Sequence, residues 1–265
     1  MGVSRIPCTR FLSLGAMILA LCSSICPENS KAGKNQVTIR GQQQNIYFYP
    51  AERPGEHRKI LFAPGDGGCR GFALTITEEL AKAGYDAYCV DTRRYLESFT
   101  GPAVLNTTDI ASDFNQMARW IEQGGQKRIL LMGWSEGAGL GLAAAADAAN
   151  KAIFDGLVAI GTPEDNILAW HWKDIGASIT KKLPHEPTFK SAEFIARVSP
   201  LPLFVIASTS SDYVTPEATR ALFSAAREPK RLVMINARDH KYSGNTDGFF
   251  RALREGLNWI EQRYP

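Results

Sequence analysis

Five residues, Gly133-Trp134-Ser135-Glu136-Gly137, set one hydroxyl between two glycines, directly after the apolar run "RILLM" (128–132) and directly before an alanine-rich stretch. This is G-x-S-x-G in a strand, turn, helix setting, where a sharp turn lifts the serine oxygen off the carboxyl edge of a sheet. The flanking glycines let strand and helix approach where a Cβ would collide. A serine hydroxyl is a weak nucleophile until a base takes its proton. The base in turn needs a carboxylate to fix its tautomer and stabilise its charged form. The chemistry implied is acyl transfer, and it requires an acid and a histidine on later loops.

Both are present. "PLFVIASTSSDYVTP" carries Asp212 a few residues beyond an apolar run and just before a helix, and "RLVMINARDHKYSG" carries His240 beyond the next run. Ser135, Asp212 and His240 follow one another in the chain order nucleophile, acid, base. Asp239 is the neighbour of His240, but side chains of adjacent residues usually diverge. Asp91, after "DAYCV", reads as structural, which leaves Asp212 preferred. His57 lies in a charged loop, and His171 and His185 in an irregular segment. Their ordinary reading is surface or packing, with His171 in "WHW" a candidate for lining a pocket.

A tetrahedral intermediate also needs hydrogen-bond donors for its oxyanion, normally the amide after the nucleophile and one from an earlier loop. These are the backbone amides of Glu136 and of Asp66 or Gly67 in "FAPGDGGCRG", for which a plain glycine turn is the alternative. The Asp66 and Glu136 carboxylates beside Ser135 would favour a cationic group such as a lysyl amine; otherwise they face solvent or cap helices. Arg93 and Arg94 in "VDTRRY", read as a loop at the same edge, answer an anionic headgroup or pair with those acids. Trp134, Trp170, Trp172 and Phe189 make an apolar wall or a packed lid. With His171, the residues Asp66, Trp134, Glu136 and Trp170 form the candidate substrate surface.

Gly139, Gly141 and Ala144 also satisfy G-x-G-x-x-A, but this match starts inside the helix rather than at the strand end where a dinucleotide pyrophosphate would sit. No metal-ligand spacing or phosphate cradle appears, so neither cofactor nor metal is expected.

The elements that must hold these residues alternate. "QVTIR" (36–40) and "NIYFY" (45–49) around Gly41 read as an opening hairpin. From Lys59 onward, strands "KILFA", "DAYCV", "RILLM" and "GLVAI" alternate with helices over about 71–83, 108–123 and 136–149. "PLFVIA" (202–207), a helix with Thr215 as N-cap and Pro216 at its first position, "RLVMI" (231–235) and a terminal helix complete the set. Ile110, Phe114, Met117 and Ile121 share one helical stripe, as do Phe249, Leu253, Leu257 and Ile260. The expected fold class is α/β: a mostly parallel sheet flanked by helices, with an N-terminal hairpin and a small cap insertion over about 163–200.

The start of the chain differs from the rest. Arg5 and Arg10 precede the uncharged run Phe11 to Cys26, and a polar stretch follows. That layout predicts a signal peptide over 1–26, a polar linker over 27–35 and an exported, periplasmic or secreted, domain over 36–265. An uncleaved anchor is the alternative, for which the run is short, and Cys22 in "LALC" hints at lipidation. Loss of residues 1–26 removes two arginines and no acid, lowering the formal charge from +3 to +1, so no nucleic-acid partner is expected. Cys69 and Cys89 then remain, open between a disulfide and buried thiols.

Through "GDGG", "GWSEG", "SSDYVTP" and "DHKYSG", in order and in strand context, the chain resembles the α/β-hydrolase superfamily from about residue 36 onward. Within it, "GDGG" before a helix, the leader and the small size are similar to the bacterial VirJ and AcvB group, periplasmic proteins that hydrolyse aminoacylated phosphatidylglycerol. The chain departs from that group at Cys69, where an aromatic is common, and at Glu136. The resemblance implies an exported serine hydrolase acting on a carboxylic ester, with an aminoacyl phospholipid or other lipid ester as substrate and contact with a membrane surface. A non-catalytic binding or assembly protein on the same fold, or an acyltransferase, are the rival expectations.

Overall fold

A computed structural model describes residues 33–53, 58–122, 128–171 and 186–263. The leader, His57, Trp172 and His185 lie outside the described residues. Strands β1 (Gly33–Ile39) and β2 (Gln42–Tyr49) form the expected antiparallel hairpin. Residues 33–35, read from the sequence as the end of a polar linker, are the first three of β1. A glycine and two polar residues open this strand, whose buried residues are only Val37 and Ile39.

The chain continues through β3 (Lys59–Ala63), α1 (Phe72–Ala83), β4 (Asp86–Val90), α2 (Thr92–Ser98), α3 (Thr107–Glu122), β5 (Ile129–Trp134), α4 (Glu136–Ala146) and β6 (Phe154–Ile160). After the short strands β7 (Asp165–Ile167) and β8 (Thr188–Lys190) come α5 (Ala192–Ile195), β9 (Leu203–Ser208), α6 (Pro216–Ala225), β10 (Lys230–Ile235) and α7 (Thr246–Glu261). Eight strands make one sheet in the order β1-β2-β4-β3-β5-β6-β9-β10. It is parallel from β4 to β10, with β2 antiparallel to β4.

Strands buried on both faces read as continuous apolar runs, and β6 is buried at every residue. Side chains of period two divide the core. Leu61, Ala63 and Leu131 face α3 and α4, while Ile60, Phe62, Leu130 and Met132 face α1 and α7. The stripes Ile110, Phe114, Met117, Ile121 and Phe249, Leu253, Leu257, Ile260 are all buried. Thr215 caps α6 as expected, its hydroxyl accepting the Ala218 amide at 3.1 Å, with Pro216 in the first turn.

Two expectations are corrected. The helix expected over 136–149 ends at Ala146. There Asp147 turns extended and its carboxylate accepts the Ala149 amide at 2.9 Å, starting a separate 3-10 turn over Ala148–Ala152. Arg93 and Arg94 are not on a loop but in α2, which Asp91 caps by accepting the Arg94 amide. Seven residues are too few to display a helical period. In the segment expected to form a cap, β7 and β8 pair antiparallel, and Phe189 meets Phe194 of α5 edge-on at 5.5 Å.

Candidate active site

Ser135 sits between β5 and α4 with φ 55° and ψ −125°, a backbone region that ordinary residues avoid. The turn is enforced by close contact. A Cβ on Gly137 would lie 1.9 Å from the Ala63 carbonyl oxygen, and one on Gly133 would lie 2.3 Å from that of Gly137. The Ser135 amide donates to Ile160 at 2.8 Å, anchoring the turn on neighbouring β6. The loop after β3 passes so near that a Cβ on Gly65 would stand 3.2 Å from the Ser135 Cβ. The segment holding Asp66 and Gly67 therefore borders the nucleophile, as an oxyanion loop must.

His240 reaches the same sheet edge from the loop after β10. Its imidazole covers Gly161, the residue after Ile160, where a Cβ would lie 2.6 Å from Cε1. It stacks on Trp134 at 5.6 Å and meets the edge of Tyr213 at 5.2 Å. Burial lowers its pKa to about 4, against the opposing pull of Asp239 and Asp212, so the ring is neutral at neutral pH. Nε2 is buried with no hydrogen-bond partner among the described residues. The neutral ring thus stands one residue along from the serine's own anchor, but no hydrogen bond joins its Nε2 to Ser135.

At Nδ1 the structure puts a residue that sequence reasoning missed. The Ser211 hydroxyl lies 3.1 Å from Nδ1 and accepts the amides of Tyr213 and Val214 at 3.2 Å each. With both amides donating to the oxygen, its own proton points at Nδ1, which leaves the ring proton on Nε2. Asp212, on the same turn, reaches His240 as a charge that raises its proton affinity. Asp239 instead accepts the amides of Lys241 and Ser243, shaping the loop that carries His240. Gly161 and Ser211 carry no local signal; their roles exist only once three loops meet.

Of the two carboxyl groups beside Ser135, that of Glu136 is withdrawn from solvent and that of Asp66 is half-buried. Glu136 is buried and accepts the Ile167 amide at 2.6 Å, joining the nucleophile's helix to β7. Burial, and then the charge of Asp66, hold its carboxyl well above the usual carboxylate range. Asp66 is raised by burial too, partly offset by a hydrogen bond from Trp170 and by the charge of Arg93. The Arg93 guanidinium lies 3.8 Å from the centre of the Trp170 ring. The residues expected to select a substrate cation thus serve as ties between the loop after β3, α2 and the segment after β7.

Trp170 and Phe189 are buried packing residues rather than an open wall. Trp134 packs between Phe72 and the imidazole, and His171 pairs with Glu186 at 2.7 Å. Gly139 and Gly141 lie within α4, where a Cβ on Gly139 would strike the Asn166 side chain. Among the described residues no group of three or more His, Cys, Asp or Glu is arranged to hold a metal ion.

Known proteins share this architecture. Residues 60–174 match the family described as alpha/beta hydrolase fold. The uncharacterized protein YfhR of Escherichia coli is 22% identical over 186 residues, 68% of this chain and 62% of that one, so the chain spans less than two thirds of that relative. The uncharacterized protein Rv2307c of Mycobacterium tuberculosis is 26% identical over 238 residues, 85% of this chain and 77% of that one. Among solved structures, Est1E from Butyrivibrio proteoclasticus superposes with a TM-score of 0.65 at 14% identity, covering 87% of this chain and 99% of its own. The esterase domain of a Rhodothermus marinus protein gives 0.60 at 19%, covering 87% and 98%. The chain has the α/β-hydrolase fold.

Proposed function

On that fold, we propose that the protein is a serine hydrolase that cleaves a carboxylic ester through an acyl-enzyme on Ser135. One observation carries the reading: a serine held at positive φ between strand and helix shares one sheet edge with a buried, neutral imidazole whose Nε2 is unused. His240 takes the serine proton as the hydroxyl oxygen attacks the ester carbonyl. The tetrahedral oxyanion is met by the amides of Glu136 and of Asp66 or Gly67. His240 then gives the proton to the leaving alcohol, and the same ring activates water to release the acid.

This sequence needs the ring proton on Nδ1 at the moment of attack. Asp212 supplies the acceptor: the imidazole exchanges the Ser211 hydroxyl for the carboxylate as substrate fills the site, in line with the loose catalytic hydrogen bonds common before substrate binds. The ties made by Asp66 and Glu136 favour an uncharged or lipid acyl group over selection of a lysyl amine. Export also belongs to this proposal, supported by the leader and by the disulfide between Cys69 and Cys89, a bond that persists in oxidising compartments.

A fluorophosphonate probe is expected to label the purified protein and to leave Ser135→Ala unlabelled. A panel from short nitrophenyl esters to aminoacyl phospholipids then ranks acyl groups, and competition by added alcohols separates hydrolysis from acyl transfer. Equal labelling of the wild type and Ser135→Ala would reject the serine as nucleophile.

A further inference from the structure

The loop that borders Ser135 is crosslinked. Cys69, three residues after Asp66, is bonded to Cys89 of β4. Cys89 is completely buried in the layer formed with α1 and α7, so the bond ties a surface loop to the core of the sheet. The adjacent residue is docked on the same side. Gly68 has φ 71°, and a Cβ there would come within 2.6 Å of the Asp91 carboxylate, the group that caps α2. Beyond the Asp66 side chain, which bonds Trp170, the loop's backbone holds itself by short turns, Gly68 N–H to Gly65 at 3.0 Å and Arg70 N–H to Gly68 at 2.8 Å.

An oxyanion donor works only if it is in place before charge develops, because reorganising a loop during the reaction forfeits the stabilisation. We infer that the Cys69–Cys89 disulfide is a positioning element of the oxyanion loop, so that its reduction switches turnover down while leaving the fold intact. The inference rests on the serine-hydrolase reading. Its chemistry is ordinary thiol exchange. A dithiol attacks the disulfide, a mixed disulfide forms and is displaced by the second thiol, and the cysteines leave as two thiols having gained two electrons and two protons. The dithiol ends as its own cyclic disulfide. Substrate binding would survive, because oxyanion donors act on the charge that develops in the transition state rather than on the bound ester. The loss therefore falls on kcat more than on KM.

The test compares native protein before and after dithiothreitol, with thiols counted to confirm reduction. Two measurements are made, nitrophenyl ester turnover and hydrogen exchange of the amides of residues 64–71. The expected result is faster exchange in that loop with little change in residues 209–215, a tenfold to hundredfold fall in kcat, less than a threefold change in KM, and recovery on reoxidation. A Cys69→Ser, Cys89→Ser double variant is expected to match the reduced protein and to ignore dithiothreitol. Unchanged exchange in the reduced protein overturns the inference whatever the activity, as does faster exchange with unchanged kcat. Oxidised protein that fails to react with a fluorophosphonate overturns the hydrolase reading instead, and with it the effect on turnover. The exchange data still report whether the bond fixes the loop.

Discussion

The two halves of the candidate site are built by different means. On the nucleophile's side, position is set by backbone against backbone: Gly137 on the Ala63 carbonyl, Gly133 on Gly137, and a covalent crosslink on the neighbouring loop. On the acid–base side, position is set by side chains. An imidazole lies on Gly161, stacks on Trp134 and bonds a serine hydroxyl. The first half cannot shift without rebuilding the sheet edge, whereas the second can change partners by rotating a side chain. Catalysis by a serine needs both properties, a fixed oxyanion site and a base that moves a proton between two acceptors.

The sharpest way to break this comparison is to add one methyl group to each half. Gly137→Ala places its Cβ 1.9 Å from a backbone oxygen that has nowhere to go, and is expected to cost more than about 3 kcal/mol and yield little folded protein. Gly161→Ala meets the far end of a ring, 2.6 Å from Cε1, at a φ of 56°. It is expected to fold with a loss of about 1–2 kcal/mol while lowering kcat roughly a hundredfold, since displacement by about an ångström costs that much. Thermal melting and turnover measured on both variants decide it. Equal melting points would erase the distinction between the halves.

Removing the carboxylates comes next. Asp212→Asn is expected to lower kcat by about three to four orders of magnitude through the wrong imidazole tautomer, whereas Asp239→Asn, whose Oδ1 still accepts the Lys241 and Ser243 amides, should cost less than about tenfold. Ser211→Ala settles which group holds Nδ1 during turnover. With Asp212 as the working partner, kcat stays within about fivefold of wild type; a loss as large as that of Asp212→Asn would give the role to the serine.

Much of this was readable in the sequence, and the exceptions share a cause. The parallel strands announce themselves as continuous apolar runs because both their faces are buried, α3 and α7 by apolar stripes of helical period, and α6 by its Thr215 cap and Pro216. The Ser135 turn is legible because its demands are local, two glycines at fixed offsets. What could not be read are pairings across the sequence. Cys69 and Cys89 are 20 positions apart with nothing in either stretch to mark them as partners. Gly161 matters only because a ring 79 positions later lies on it. Asp66 and Glu136 looked like substrate-selecting charges because sequence reports charge and not direction. Glu136 is spent on the Ile167 amide, and Asp66 on Trp170.

Acidity offers a smaller and more graded probe. Burial places His240 at about 4, so kcat/KM is expected to rise through pH 4 and run level to neutrality, where an ordinary histidine would titrate near 6.5. The sign for stability follows. The folded ring binds protons less readily than the unfolded one, so its contribution is fully present above pH 6.5 and is lost as pH falls through 4. Melting temperature recorded between pH 7 and pH 4 should therefore decline, and a His240→Gln variant should decline less. An acid limb near 6.5 would mean the imidazole is solvated and the stack with Trp134 is not maintained.

The smallest expected effect separates charge from shape at Glu136. Burial, reinforced by Asp66, opposes ionisation of its carboxyl, and its oxygen already accepts the Ile167 amide. Glutamine keeps the neutral state and the acceptor, so Glu136→Gln should leave kcat at pH 6 within about threefold of wild type, while Glu136→Ala, which leaves a buried amide unpartnered, should cost about 1–3 kcal/mol of stability. The two differ again at high pH. A carboxyl whose pKa is raised on folding stabilises the fold fully below its unfolded value and loses that contribution as pH rises through the folded one. Ionisation there would also set a negative charge beside the developing oxyanion. Wild type should accordingly lose melting temperature and kcat as pH rises, a loss that Glu136→Gln escapes. Parallel curves for the two proteins would show that the carboxyl stays neutral throughout or that its charge never reaches the nucleophile.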